Sequence, residues 1–390
     1  MDSETPSIVE PGVEHKNISL LHQEWPLLVS VVSTALFFLF GGNWLADLSH
    51  PVWFAFILLW LFGVILLSAF AIVRHAESLA VLLGEPLGTL VLTLSVIGIE
   101  VMMISAIMLT GEGKPALARD TMFAVVMIIL NGMTGVSLLL GGWRHHEQTY
   151  NLQGANAFLA LVVPLAVLGL VLPTFTTTTP GPTLSPFQSV FLSVMSIGIY
   201  GIFLAVQTSR HSEYFVLPEV EEAVEEGELH QHGEHDEHAI KSAPHHALLL
   251  LLYMLPLVVL AKQLAIPLEY GTRVLGAPEA LSGFLVATLI LSPEAMSAVR
   301  AAVRNQLQRS VNILLGSVLA TIGLTIPAVL TIGLITGKTV FLGLDAVDTI
   351  LLLLTLALST LTFSNNRTNV LLGAMHLLLF LAYLMFIFEN

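Results

Sequence analysis

The stretch ATLILSPEAMSAVR, residues 287 to 300, sets a proline and a glutamate in the middle of an apolar run. A carboxylate surrounded by lipid is costly, and Pro293 withdraws a backbone donor that a helix would use. Both need compensation from the rest of the fold. Outward from this stretch, apolar runs of roughly 20 residues recur, the length that crosses a hydrocarbon core of roughly 30 Å. Eleven runs fall near 26–46, 51–73, 86–110, 118–140, 155–173, 184–207, 246–266, 281–303, 309–335, 345–363 and 368–388. Such runs favour helices, because in lipid each backbone polar group must find its partner within the span. The fold class expected is therefore an all-α polytopic membrane protein.

Composition agrees. Hydrophobic residues make up 55% of the 390 and charged residues only 11%, against roughly 25% charged in a soluble domain. The formal charge of −14 argues against nucleic acid as a partner and leaves the lipid bilayer and inorganic cations. The chain has no cysteine, which excludes a disulfide framework, a thiolate metal site and a cysteine nucleophile. The first 25 residues lack a basic segment leading into a short apolar core, so no cleaved signal peptide is expected and the first span serves as insertion signal.

One long polar insertion, rich in acid and histidine, interrupts the pattern between spans six and seven. It divides the chain into an N-terminal segment (1–25), an initial helix (26–46), a first five-helix set (51–207), a loop (208–245) and a second five-helix set (246–388). With the N-terminus in the cytoplasm, Lys16, Arg74, Arg144, Arg210, Lys241, Arg300, Arg304, Arg309 and Arg367 fall inside, as does the acidic loop, in accord with the positive-inside rule. Because each set has an odd number of spans, two related sets would enter from opposite sides, as an inverted repeat. Glu100 lies about 14 residues into the second helix of the first set and Glu294 about 13 residues into that of the second, each some 20 Å along its span. Matching carboxylates at matching depth suit a shared midplane site for cations and protons.

Around Glu294, Ser292 as cap and Pro293 at a first helical position predict a broken helix inside the span. Gly98 precedes Glu100 by two residues, where it lets backbone or an ion come close. The following helices supply Asn131, Gly132, Thr134 and Gly135 in one set and Asn312, Gly316, Ser317, Thr321 and Gly323 in the other. Their oxygens could ligate a hard cation; their plain reading is helix packing. His376 in the last span reads as a proton relay or a hydrogen-bonded packing residue, and Asp120 as a helix-end charge. In the loop His232, His235 and His238, spaced by three, would share a face over a metal if that segment were helical; otherwise they belong to a solvated acidic tract. No cofactor is expected.

These features together resemble the calcium:cation antiporter superfamily, and within it the bacterial calcium/sodium/potassium:proton antiporters of the ChaA type. The resemblance is carried by GEPLGTLVLTLSVIGIEVMMISAIML (84–109), FLVATLILSPEAMSAVRAAVRNQLQRSVNILLGSVLATIGLTIP (284–327) and NRTNVLLGAMHLLLFLAYLM (366–385), with the acidic connector. It implies an initial helix plus two inverted five-helix repeats, a bacterial inner membrane, and one ion-site glutamate per repeat, here Glu100 and Glu294. Gly316 and Ser317 match the Gly-Ser pair after the second glutamate. The wider superfamily's asparagine before each glutamate is missing: Val96, Ile97, Gly98 and Ile99 precede one and Ile290, Leu291, Ser292 and Pro293 the other. That departure fits antiporters of mixed ion preference. The rival functions are a cation channel without proton coupling and a structural or sensor protein. An intramembrane hydrolase would need more ligands than HEQTY (146–150) provides, since the second histidine of His-Glu-x-x-His is absent.

Overall fold

The computed structural model describes residues 24–84, 87–110, 115–216 and 242–389. His232, His235 and His238 lie outside them. Among the described residues ten helices are long and apolar enough to cross a membrane: α1 (Trp25–Trp44), α2 (Pro51–Leu83), α3 (Leu87–Met108), α4 (Leu117–His145), α5 (Leu152–Phe175), α6 (Pro186–Arg210), α7 (Ala243–Arg273), α8 (Glu279–Val303), α9 (Leu307–Thr336) and α11 (Val370–Glu389). A shorter apolar helix, α10 (Ala346–Thr362), sits between the last two. The chain is an integral, multi-pass, all-α membrane protein built as an initial helix and two inverted five-helix repeats.

Local chemistry sets several helix starts. Asn151 caps α5 by accepting from the Gln153 amide at 3.0 Å. Ser185 and Gln188 form a reciprocal capping box at α6, and Asp345 caps α10 through the Asp348 amide at 2.9 Å. Two helices outrun the expected spans: α2 continues to Leu83 and α7 to Arg273. At the end of α2, Arg74 and His75 are held by Glu24, which the hydroxyl of Tyr253 also meets at 2.9 Å; the Nδ1 atoms of His75 and His246 lie 3.0 Å apart. This polar knot joins the start of α1 to both half-molecules.

The inversion shows in the packing. The first helices of the two repeats, α2 and α7, pack against each other, the third helix of the first (α4) against the fifth of the second (α11), and the third of the second (α9) against the fifth of the first (α6). Both third helices contain a wide π turn, Ile128–Met133 in α4 and Thr321–Thr325 in α9. Such turns recur at functional sites. Where α4 crosses α11, a methyl group added at Gly373 would come within 2.7 Å of the Leu139 amide and 2.9 Å of the Gly135 carbonyl. Only small residues permit so close an approach. Beyond it, β1 (Gln148–Thr149) pairs antiparallel with β2 (Arg367–Thr368), joining the α4–α5 and α10–α11 connections on the loop side.

The core divides in two. One apolar cluster draws on α1, α2 and α7, with residues such as Phe37, Ile65, Leu257 and Leu260; the other draws mainly on α4, α5, α9 and α10. The helices α3 and α8 contribute to both: Ile99 and Met103 face the first cluster and Ile97 and Ile104 the second, with Leu289 and Leu291 divided likewise.

One expectation is overturned. The helix is not broken at Pro293: α8 runs from Glu279 to Val303 with the proline inside it. Ser292 caps nothing; its hydroxyl bonds back to the Thr288 carbonyl at 2.5 Å. The physical reason is one of scale. A proline removes a single amide from the ladder, whereas opening two helix ends inside the membrane would strand several donors and acceptors.

Candidate functional site

Glu100 on α3 and Glu294 on α8 meet the same face of α9. The Thr321 hydroxyl donates to Glu100 Oε2 at 2.9 Å, and the Ser317 hydroxyl donates to Glu294 Oε2 at 2.5 Å. Four residues separate the two hydroxyls, one helical turn or roughly 6 Å of rise. The helix of the second repeat thus presents successive oxygens to carboxylates from opposite halves, and the charge of Glu294 is felt at Glu100. Thr325, a further turn along, lies beside the Glu100 carboxylate but short of hydrogen-bond geometry, with its hydroxyl buried and unpartnered.

The two carboxylates differ in access. Glu100 is 1% exposed and its Oε1 has no hydrogen-bond partner, whereas Glu294 sits deep yet keeps partial exposure. An orphaned carboxylate oxygen in a dry site calls for a proton or a cation. Among the described residues no three His, Asp or Glu side chains gather as a metal chelate. An ion held here would therefore take oxygens from two carboxylates supplemented by the hydroxyls of α9 and by backbone, a donor set suited to hard cations.

The other expected residues fall elsewhere. Gly98 faces Met254 of α7, and Gly316 faces Phe158 of α5. Asn312 donates to the Phe215 carbonyl at 2.8 Å and accepts from Gln308 at 2.9 Å, so it fastens the chain leading into the loop. Asn131 donates to Thr355 at 2.7 Å, and His376 lies between Asn131 (3.2 Å) and Thr362 (2.9 Å). That buried chain of polar groups joins α4, α10 and α11, and neither Asn131 nor His376 hydrogen-bonds to Glu100 or Glu294. Pro293 is buried beside Glu294 on α8, and Ser292 stays within its own helix.

Two participants were hidden. Thr325 completes a stripe with Ser317 and Thr321 at a spacing of four, which is legible once α9 is read as one face. Glu77 adds a third carboxylate to the electrostatic surroundings of Glu294. It lies on the part of α2 beyond residue 73, where hydropathy stops signalling a span and the helix continues.

Comparison with known proteins adds four findings. The family described as sodium/calcium exchanger protein matches residues 53–209 and 245–389. The sodium-potassium/proton antiporter ChaA of Escherichia coli (strain K12) is 42% identical over 367 residues, covering 94% of this chain and 97% of the relative. A Ca(2+)/H(+) antiporter of Synechocystis sp. (strain ATCC 27184 / PCC 6803 / Kazusa) is 25% identical over 309 residues, 76% of this chain and 81% of the relative. In fold, the solved structure of native YfkE superposes with a TM-score of 0.71 at 18% identity, covering 94% of this chain and all of that one.

Proposed function

Because the chain belongs to the sodium/calcium exchanger family, we propose that it is a cation:proton antiporter in which Glu100 and Glu294 alternately carry protons or a cation. The observation that carries this reading is the shared face of α9, which hydrogen-bonds one glutamate from each repeat within a single turn. Two carboxylates hold two protons or one divalent cation with the same net charge, so both loaded forms can change sides. The empty ionised pair would bury uncompensated charge, a cost of several kcal/mol, and should cross rarely. Exchange follows from that penalty. A monovalent ion can use one carboxylate while the other keeps its proton.

The cations we assign are Ca2+, Na+ and K+. The names of the Escherichia coli and Synechocystis relatives support that range. We place the loop side in the cytoplasm, so that cations leave the cell as protons enter. The position of α3 and α8 between two apolar clusters supports alternating access, with α1, α2 and α7 moving against the remainder.

The test uses everted membrane vesicles carrying a pH-gradient dye, with Ca2+, Na+ and K+ added separately. Glu100→Gln and Glu294→Gln should each abolish cation-driven proton movement while leaving insertion intact; exchange retained in either variant removes that residue from the site. Thr321→Ser should keep exchange, and Thr321→Val should raise the half-saturating cation concentration about tenfold, the effect of losing one hydrogen bond to a charged group.

A further inference from the structure

At the Glu100 end of the α9 hydroxyl stripe, two buried oxygens have no hydrogen-bond partner among the described residues: Glu100 Oε1 and the hydroxyl of Thr325. Glu100 is 1% exposed and Thr325 0%, so neither is satisfied from bulk water. They belong together, since Thr325 lies beside the Glu100 carboxylate, whose other oxygen already accepts from Thr321 at 2.9 Å. Two unpaired oxygens side by side in a dry site are costly unless a positive charge joins them.

The backbone adds a third oxygen. Thr325 closes the π turn Thr321–Thr325. Pro327, two residues beyond that turn, has no amide to return to it, so the carbonyl of Ile322 or Gly323 lacks the partner that helix geometry would give it. Unwound backbone of this kind coordinates sodium inside membranes.

Height along α9 separates these oxygens from the rest of the site. Ser317 bonds Glu294 and Thr321 bonds Glu100, so a divalent ion shared by the two carboxylates sits between those levels. Thr325 is four residues past Thr321 and away from Glu294, roughly 6 Å further along the helix. A bridging ion leaves it unused. An ion held by Glu100 alone has it within reach, and one carboxylate balances one positive charge.

We propose that Glu100 Oε1, the Thr325 hydroxyl and a carbonyl of the π turn form a subsite for a dehydrated monovalent cation, and that Thr325 sets how well such an ion competes with Ca2+. This rests on the antiport reading of the glutamate pair and assigns the two carboxylates different parts: Glu100 takes the monovalent ion, while Glu294, bonded to Ser317 and partly exposed, keeps the proton.

Na+ is the probe. Thr325→Val keeps the shape of the side chain and removes the hydroxyl. In everted vesicles with the pH-gradient dye it should raise the half-saturating Na+ concentration about tenfold, the effect of losing one polar contact to a charged group, and leave that of Ca2+ unchanged. Thr325→Ser should restore the parent value. A residue that only packs would not divide the two ions. Thermal unfolding of the purified full-length chain in detergent separates this subsite from the transport reading. Both Na+ and Ca2+ should stabilise the parent, and Ca2+ alone should stabilise Thr325→Val. Without either ion, Thr325→Val should unfold no lower than the parent, because it removes a buried hydroxyl that lacks a partner. If no cation drives proton movement in the parent, the antiport reading falls, and a Na+ stabilisation that Thr325→Val abolishes still upholds the subsite. A half-saturating concentration that rises equally for Na+ and Ca2+, or for neither, overturns it.

Discussion

At the scale of single residues, Glu24 gives a pH dependence with a defined sign. Burial opposes its ionisation, but the hydrogen bond to His75, the charge of Arg74 and the Tyr253 hydroxyl outweigh that, holding its carboxyl at about 2 against an ordinary 4.5. A carboxylate depressed in the folded protein stabilises it fully above the unfolded value and loses that contribution as pH falls through the folded one. The window is therefore roughly pH 4.5 down to 2, and the contribution at neutral pH, reduced by solvent screening of a carboxylate that water still reaches, is on the order of 1 to 2 kcal/mol. Glu24→Gln should lower the midpoint of thermal unfolding at pH 7 by several degrees, and most of that difference from the parent should be gone at pH 3, measured by intrinsic fluorescence in detergent. The glutamates of the proposed ion site, Glu100 and Glu294, are legible in sequence because a carboxylate within an apolar span has few structural excuses. The Thr325 hydroxyl is not, since a threonine in an apolar span reads as packing until Ser317, Thr321 and Thr325 are seen to share one face of α9.

At the scale of elements, ten of the eleven expected spans coincide with described helices long and apolar enough to cross, and the remaining one with the shorter α10, because length and hydropathy are physical requirements of the bilayer. Helix continuity was misread at Pro293, and the reason is general: local sequence reports the bond a proline loses but not the neighbouring helices that make the uninterrupted path cheaper. The extra turns of α2 escaped for the opposite reason, since polar residues continue that helix into the knot of Glu24, His75 and His246. The crossing of α4 on α11 allows a direct test of close packing. Gly373→Ala would push a methyl group against backbone atoms, which cannot swing aside, so the helices must part and stability should fall by about 1 to 3 kcal/mol. Gly198→Ala, where nothing lies within 4 Å, should be neutral or slightly stabilising. Thermal unfolding of the two variants against the parent measures both.

For the whole molecule, the proposed alternating access would move one apolar cluster against the other. Helices α4, α10 and α11 are fastened by the glycine crossing, by the chain from Asn131 through His376 to Thr362, and by the β1–β2 pair. Along α3 and α8, by contrast, the described residues meet through the apolar packing of the two clusters. Hydrogen exchange measured by mass spectrometry at one pH, with and without saturating Ca2+, should change along α1, α2 and α7 and stay constant at Gln148–Thr149 and Arg367–Thr368. Uniform change throughout would contradict a moving bundle on a fixed frame.

The β1–β2 pair and the contact of Gly135 with Gly373 also bear on how the protein is made. Both join the middle of the first half to the start of α11. Until the ribosome has released α11, α4 has an uncovered glycine face and the α4–α5 connection has no backbone partner. Helix α11, translated after the other ten described helices, therefore completes the first half, and a chain cut before it would present quality-control proteases with an unfinished protein rather than a slightly smaller one.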